Sequence, residues 1–415
     1  MEGLQPLHRR VAGIDVHRML HVVTVLIEQA DGSIERQTRQ FGGFRRDCRA
    51  LAAWLTELEV ELVVMESTGI YWKSVFSHLE RAGIRAWVVN AHFIKHVPGR
   101  KTDMADSEWL AVLARFGLVR ASFIPPQDLR ELRLVSRYRR KLAAMGASEV
   151  NRLHKVLDDA GIKLGAVVSD INGVSARAMV KGLIEQQGIE QLLALARGRL
   201  QLKREDLAAS LEGDLSARHL FVLGHLHAHI ETLQSELAAL DAYLLDAMQP
   251  YAWAHRLLQT IPGIDAIAAA LILIEIGDDM GRFGCAERLA AWAALCPGNN
   301  ESAGKRKSGR TRKGNAIIRF ILCECANAAR MTKSTLAAKY KSLMVRKSHK
   351  KAIVALAHKM IRLIYLLLTR QQPYIDPGID YAALSAKKNA PRWIRQLALI
   401  GKWPAAKTPA AATAT

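Results

Sequence analysis

The chain has 415 residues, half of them hydrophobic, which is more than one ordinary core holds and excludes a disordered protein, so two or three domains are expected. Its 59 Lys and Arg against 39 Asp and Glu leave a formal charge of +20, an excess that draws a polyanion through counterion release and points to nucleic acid as partner. Met1 to Arg10 lacks an apolar secretory core, the apolar run Ile267 to Ile276 is short and carries Glu275, and the five cysteines include no C-x-x-C pair. A membrane partner, a disulfide framework and a zinc site are therefore not expected, and the chain reads as cytoplasmic with buried thiols.

In chain order, Val11 to Val16 and His21 to Ile27 are rich in β-branched residues and read as two strands; Ser33 to Gln40 completes an antiparallel meander. Periodicity then predicts a helix over Arg45 to Glu57, a strand at Glu61 to Met65, a helix from Tyr71 to Ala82, a strand at Ile84 to Asn90 and a helix from Asp103 to Phe116. Three strands followed by alternating α and β is the element order of the RNase H and RuvC class. The fold class expected is thus α/β followed by α.

After Pro125-Pro126 a long helical run, Asp128 to Ala160, carries Arg130, Arg133, Arg137, Arg140, Arg152 and Lys155 on a polar face. A second, Ala217 to Met248, is heptad-like through Leu223, Leu226, Ile230, Leu233, Leu237 and Leu240. They read either as a bundle with a solvated basic face or as a coiled-coil arm. From Leu257 to Ile276 the pattern is helix, Pro262-Gly263 turn, helix, which reads either as a helix-hairpin-helix whose turn amides hold a phosphate or, since Asp265 stands where a second glycine is usual, as a simple structural hairpin. A loop over Pro297 to Gly314 and a helix from Asn315 to Met331 follow. The tail after Trp403 is low-complexity and reads as disordered. The boundaries expected are 1–124, 125–249, 250–375 and a tail 376–415.

Carboxylates fall at telling places: Asp15 in the first strand, Glu66 just after the fourth, and Asp103 and Asp106 on one face at the start of a helix. The first and fourth strands of an RNase H topology are neighbours, so Asp15 and Glu66 would project together. Convergent oxygen donors suit hard cations such as Mg²⁺, and a pair of ions about 4 Å apart can clamp a phosphoryl transfer. The plain alternative is a turn Asp and a helix N-cap at Asp103, but Asp15 inside an apolar strand is a costly place for an idle charge.

In the 297–315 loop, Ser302 is followed by Lys305, Arg306, Lys307, Arg310, Arg312 and Lys313. A phosphodiester there would be balanced by these cations and by free amides at the start of the next helix. Serine needs activation to act as a nucleophile, and a basic Gly-Ser loop also serves as a plain nucleic-acid contact; Ser308 is an equally placed hydroxyl.

Gly13-Ile14-Asp15-Val16-His17, Met65-Glu66-Ser67-Thr68-Gly69-Ile70-Tyr71-Trp72 and Lys101-Thr102-Asp103-Met104-Ala105-Asp106 resemble the three blocks of the DEDD transposases of insertion sequences. Cys296 to Asn315 is similar to that family's second signature. The resemblance, to insertion-sequence family one-hundred-ten, runs from about Val11 to Met331. It implies a RuvC-like domain, a helical coiled-coil linker and a C-terminal transposase domain, with Mg²⁺ bound by Asp15, Glu66, Asp103 and Asp106. It further implies that Ser302 becomes joined to a DNA 5′-phosphate, with Ala303 standing where the family often has glycine. A structured non-coding guide RNA (bridge RNA) supplies sequence choice, dimers pair into a tetramer, and the bound enzyme sits on the nucleoid. A RuvC-like junction nuclease using water as nucleophile, and a basic scaffold without chemistry, are the rival readings.

Overall fold

The computed structural model describes residues 5–67, 69–90, 103–298, 300–302, 304–308, 310–311 and 313–402. Among the residues singled out above, Thr68, Lys101, Thr102, Ala303, Arg312 and the tail from Trp403 lie outside the described residues, as do the side chains of Asp103, Ser302, Lys305, Arg306, Lys307 and Ser308. The chain divides into two compact units, Met1–Gln127 and Asp128–Thr415.

The first unit is a five-stranded mixed sheet of β1 (Arg10–Val16), β2 (Leu20–Glu28), β3 (Ile34–Gly42), β4 (Leu62–Glu66) and β5 (Ala86–Val89), in the order β3-β2-β1-β4-β5. The meander pairs β1, β2 and β3 antiparallel, while β4 and β5 join parallel to β1. Parallel neighbours need crossovers, and α1 (Arg45–Glu57) and α2 (Trp72–Arg81) supply them. The mostly apolar β2 is buried without interruption from His21 to Ile27, whereas polar β3 is an edge, where charge discourages pairing with another chain. One face of the sheet packs Ala12, Ile14, Val16, Val63 and Met65 against Leu51, Leu55 and Leu79 of α1 and α2. The other packs Val11, Leu62 and Val64 against Leu110, Ala111 and Ala114 of α3 (Asp103–Arg115).

Among the described residues the second unit is mainly helical, with one small hairpin. Its helices are α4 (Gln127–Asp159), α5 (Leu164–Val167), α6 (Val174–Ile184), α7 (Ile189–Ala194), α8 (Arg204–Leu211), α9 (Ala217–Asp246), α10 (Ala252–Gln259) and α11 (Ala266–Ile276). They continue with α12 (Ala286–Trp292), α13 (Ala316–Ala329), α14 (Thr335–Met344), α15 (His349–Arg370) and α16 (Tyr381–Leu399). Contacts Arg139–Asp241, His229–Glu149 at 3.9 Å and His219–Asp159 at 3.0 Å step in opposite directions along α4 and α9, so these long helices run antiparallel. Where they end, Leu153, Leu157 and Leu223 join Met179, Leu192 and Leu207 of the short helices in one core. Farther along α9, Leu237 and Leu240 are only half-buried.

The basic face expected on α4 is not uniformly solvated. Arg137, Arg140, Arg152 and Lys155 are exposed, but Arg130 is buried and Arg133 nearly so, because Arg133 reaches the carbonyls of Ile274 and Glu275 at the end of α11. The Pro262-Gly263 turn also departs from the phosphate-binding reading. Gly263 has φ +89°, and a Cβ there would stand 2.5 Å from the Cys325 carbonyl and the Ala329 amide, so the glycine lets the turn press on α13. Asp265 instead caps α11, accepting from the Ala268 amide at 2.7 Å. Of the cysteines only Cys48 and Cys325 are buried; the other three are half-buried. The α15 helix is long and apolar enough to cross a membrane by composition, yet half of its apolar window is buried in the protein, as befits a core helix with Leu356, Met360 and Ile364 inaccessible.

Candidate functional site

The parallel register of β1 and β4 pairs Ile14 with Met65. Successive side chains alternate faces, so Asp15 and Glu66, one step further, share the face opposite Ile14 and Met65, which is the face that α3 covers. Glu66 closes β4 rather than following it. Asp15 is only 16% exposed, and its Oδ2 lies 3.0 Å from Nε2 of His17, two residues along the chain; period-two spacing was the signal that could have found this pair.

The seat of α3 on the sheet is fixed by Gly13, where a Cβ would stand 2.0 Å from the Ser107 carbonyl and 2.5 Å from the Ala111 amide. Ser107 also shares a 2.8 Å hydroxyl bond with Thr24 of β2. The Arg115 carbonyl, at the far end of α3, accepts from the Leu7 amide ahead of β1, so α3 runs against β1. From Gly13 to Asp15 is about 7 Å along a strand, and from Ser107 back to Asp103 is about 6 Å along a helix. The chain direction therefore carries Asp106 and the backbone of Asp103 toward the strand ends that bear Asp15 and Glu66. Among the described residues no group of three or more His, Cys, Asp or Glu side chains closes into a metal cluster. The donor set itself, carboxylates only and with the Asp15 carboxylate mostly withdrawn from solvent, fits a hard divalent cation.

The serine segment, expected as a loop, is a hairpin: β6 (Asn300–Ser302) pairs antiparallel with β7 (Lys305–Ser308). Ser302 and Lys305 are register partners on either side of the turn, and Gly304 supplies its left-handed residue at φ +74°. Ser308 sits opposite Asn300, at the other end. Below the strands a Pro297–Thr311 bridge and a 2.7 Å bond from the Gly298 amide to the Arg310 carbonyl join the two legs. Arg310 and Lys313 are exposed. The start of α13 does not offer all its amides to a phosphate, because the Asn315 side chain already accepts from Ile317 and Ile318 at 2.9 and 3.2 Å. Asn315 in turn donates from Nδ2 to the buried Glu275 carboxylate at 2.6 Å, and Arg140 of α4 stacks on Phe320 of α13 at 4.7 Å. Asn315 closes the stretch similar to the family's second signature, but Glu275 does not stand out in the sequence as part of a site.

Residues 12–162 match the family model of the DEDD transposases of IS110, described as "Transposase", and residues 255–341 match the model "Transposase IS116/IS110/IS902 family". Together the two spans cover more than half of the chain and hold every candidate carboxylate and serine. The chain belongs to the IS110 family of DEDD transposases. Among proteins similar to this transposase is the "Transposase for insertion sequence element IS1111A" of Coxiella burnetii, 25% identical over 77% of this chain and 81% of that protein. Another, named "Probable family 20 transposase", of Pseudomonas aeruginosa, is 24% identical over 76% of this chain and 86% of that protein. A solved structure of Thermus thermophilus RuvC aligns with 27% of this chain and 99% of its own, at 15% identity and a TM-score of 0.23. The protein is accordingly a DNA transposase, and DNA is a partner that its activity implies.

Proposed function

We propose that this transposase cuts and rejoins DNA through a covalent serine intermediate, with Ser302 as nucleophile and a divalent cation, Mg²⁺, held by Asp15, Glu66, Asp103 and Asp106. The Ser302 oxygen attacks the scissile phosphorus, an Oγ–P bond forms, the bond to the 3′-oxygen breaks, and the proton lost by serine is balanced by one gained on the freed 3′-hydroxyl. Attack on the phosphoserine by the 3′-hydroxyl of a new DNA end reverses the step and restores the serine. When bound, the cation stabilises charge on the transferring phosphoryl group. Arg310 and Lys313, together with Lys305, Arg306, Lys307 and Arg312, hold the phosphate oxygens flanking the cut.

The observation that supports this reading most is the Ile14–Met65 register, by which Asp15 and Glu66 share one face of the sheet beneath the helix that begins at Asp103. The hairpin supports Ser302 over Ser308, because Ser302 flanks the turn. In this reading 1–124 is the RuvC-like domain, 125–249 a coiled-coil linker, 250–375 the transposase domain and 376–415 a tail. A structured RNA carried by the element selects donor and target, and dimers pair into a tetramer.

The test uses the full-length protein with element-end DNA, its flanking non-coding RNA and Mg²⁺, and looks for DNA attached to protein on denaturing gels. Ser302→Ala and Glu66→Gln should each reduce strand exchange by at least about a thousandfold while nucleic-acid binding persists. Cut DNA without adduct, indifferent to Ser302→Ala, would establish a RuvC-like nuclease instead.

A further inference from the structure

Glu275 stands in the last turn of α11, a helix otherwise wholly apolar from Ala266 to Ile276, and is 1% exposed. A carboxylate in such a place gives up its hydration, and well-packed apolar residues commonly serve stability at least as well as a buried ion pair. Its partners come from two distant stretches of chain. Arg133 of α4 approaches Oε2 at 3.3 Å, and Asn315 donates to the same oxygen at 2.6 Å. Oε1 has Arg137 at 3.8 Å but no hydrogen-bond donor among the described residues.

Arg133 is held independently of the carboxylate, because it also donates to the Ile274 and Glu275 carbonyls at 3.3 and 2.6 Å. Asn315 joins the two elements: its Oδ1 accepts from the Ile317 and Ile318 amides at the head of α13, and Glu275 accepts from the Nδ2 that this cap leaves facing inward. The Asn315 amide is tied to the Trp292 carbonyl at 2.9 Å, and a Cβ on neighbouring Gly314 would stand 2.5 Å from that same carbonyl. The paired hairpin legs at Pro297–Thr311 and Gly298–Arg310 begin within five residues of Asn315, so what fixes Asn315 fixes the root of the hairpin.

We infer that Glu275 is a positioning residue for the strand-transfer reaction, acting through Asn315 to set the angle at which the hairpin presents Ser302; this rests on Ser302 as the nucleophile. Glu275→Gln turns an NH₂ group toward Asn315 or the arginines, donor against donor, while Asn315→Asp sets two carboxylates against each other. Combining the two substitutions reverses the hydrogen bond, since the introduced amide donates to the introduced carboxylate, and an aspartate at the head of α13 remains a good N-cap.

The experiment measures adduct formation at saturating DNA, DNA affinity and melting temperature for the full-length wild type, both single variants and the double. Each single variant should slow adduct formation by about tenfold to a hundredfold, as misplacement by about 1 Å does, with affinity within about twofold. The double should recover to within about threefold of wild type. A wild-type rate in Glu275→Gln, or a double variant no faster than the singles at a temperature where all are folded, would overturn the inference. If Glu275→Gln does not fold, the double decides alone: about tenfold or greater loss would overturn it. Wild-type cutting without any adduct would instead sink the nucleophile assignment, and with it this role for Glu275.

Discussion

In the N-terminal unit, Asp15 and Glu66 stand on central strands beside the buried Ile14, Val16 and Met65, and the helix above them is pressed onto Gly13 with no room for a methyl group. In the C-terminal unit, Ser302 ends one of two short strands of polar sequence, and the chain that follows the hairpin enters a capped helix start, a close glycine and a buried carboxylate. A metal site needs its ligands fixed in relation to one another, which a sheet provides directly. A nucleophile that attacks, releases and is attacked again can sit on a lighter element, provided that its root is fixed. The difference predicts that damage to the first region is structural and all-or-none, whereas damage to the second is kinetic.

The largest effect expected is from Gly13→Ala. The new methyl group would meet the Ser107 carbonyl and the Ala111 amide, both main-chain atoms of α3, so the helix must move. Overpacking of that kind costs about 1–3 kcal/mol or more, and it shifts Asp106 as well. Strand exchange should be lost and the melting temperature lowered, measured by exchange assay and differential scanning calorimetry. An active Gly13→Ala enzyme would mean that α3 does not need its present seat.

Gly263→Ala tests the other unit. It combines φ +89° with main-chain atoms of α13 at 2.5 Å, and should cost about 1–3 kcal/mol. Since α13 follows the serine hairpin, adduct formation should slow while divalent-cation binding to the protein persists; calorimetric titration with Mg²⁺ separates the two. Loss of cation binding in this variant would erase the contrast between the regions.

What was legible in the sequence follows the same line. The β-branched runs of β1 and β2, the apolar spacing of α1 and the placement of Asp15 and Glu66 are local patterns, and a parallel register follows once Val11 to Val16 and Leu62 to Glu66 are seen to be neighbours. Arg133 could not be read, because its burial depends on carbonyls some 140 residues away at Ile274 and Glu275, and nothing in a helical row of arginines says which one turns inward. The strands Asn300–Ser302 and Lys305–Ser308 show no hydrophobic alternation; the Ala303-Gly304 pair was their only mark. Glu275 registered only as a charge in an apolar stretch, since its acceptor role needs Asn315, forty positions on.

The antiparallel pair α4 and α9 offers a milder test. Arg139 and Asp241 join α4 to α9 while both remain partly exposed, so Asp241→Asn should cost less than about 1 kcal/mol and leave cutting in both regions unchanged. A pronounced loss of activity at unchanged melting temperature would give this helix pair a part in the chemistry.

The smallest effect, and the one most specific to the sheet, concerns acidity. His21 in β2 is 2% exposed, its Nδ1 has no hydrogen-bond partner among the described residues, and burial holds its pKa below the usual 6.5. A group whose proton affinity falls on folding binds more protons in the unfolded chain, so stability rises with pH between the two pKa values. Its contribution is complete above about pH 6.5 and is lost as pH falls from there toward the folded pKa. His21→Leu fills the same buried space without a titrating group. The melting temperature of the wild type should therefore fall relative to this variant by a few degrees between pH 7 and 5, and parallel curves would show that the sheet admits a charged His21 after all.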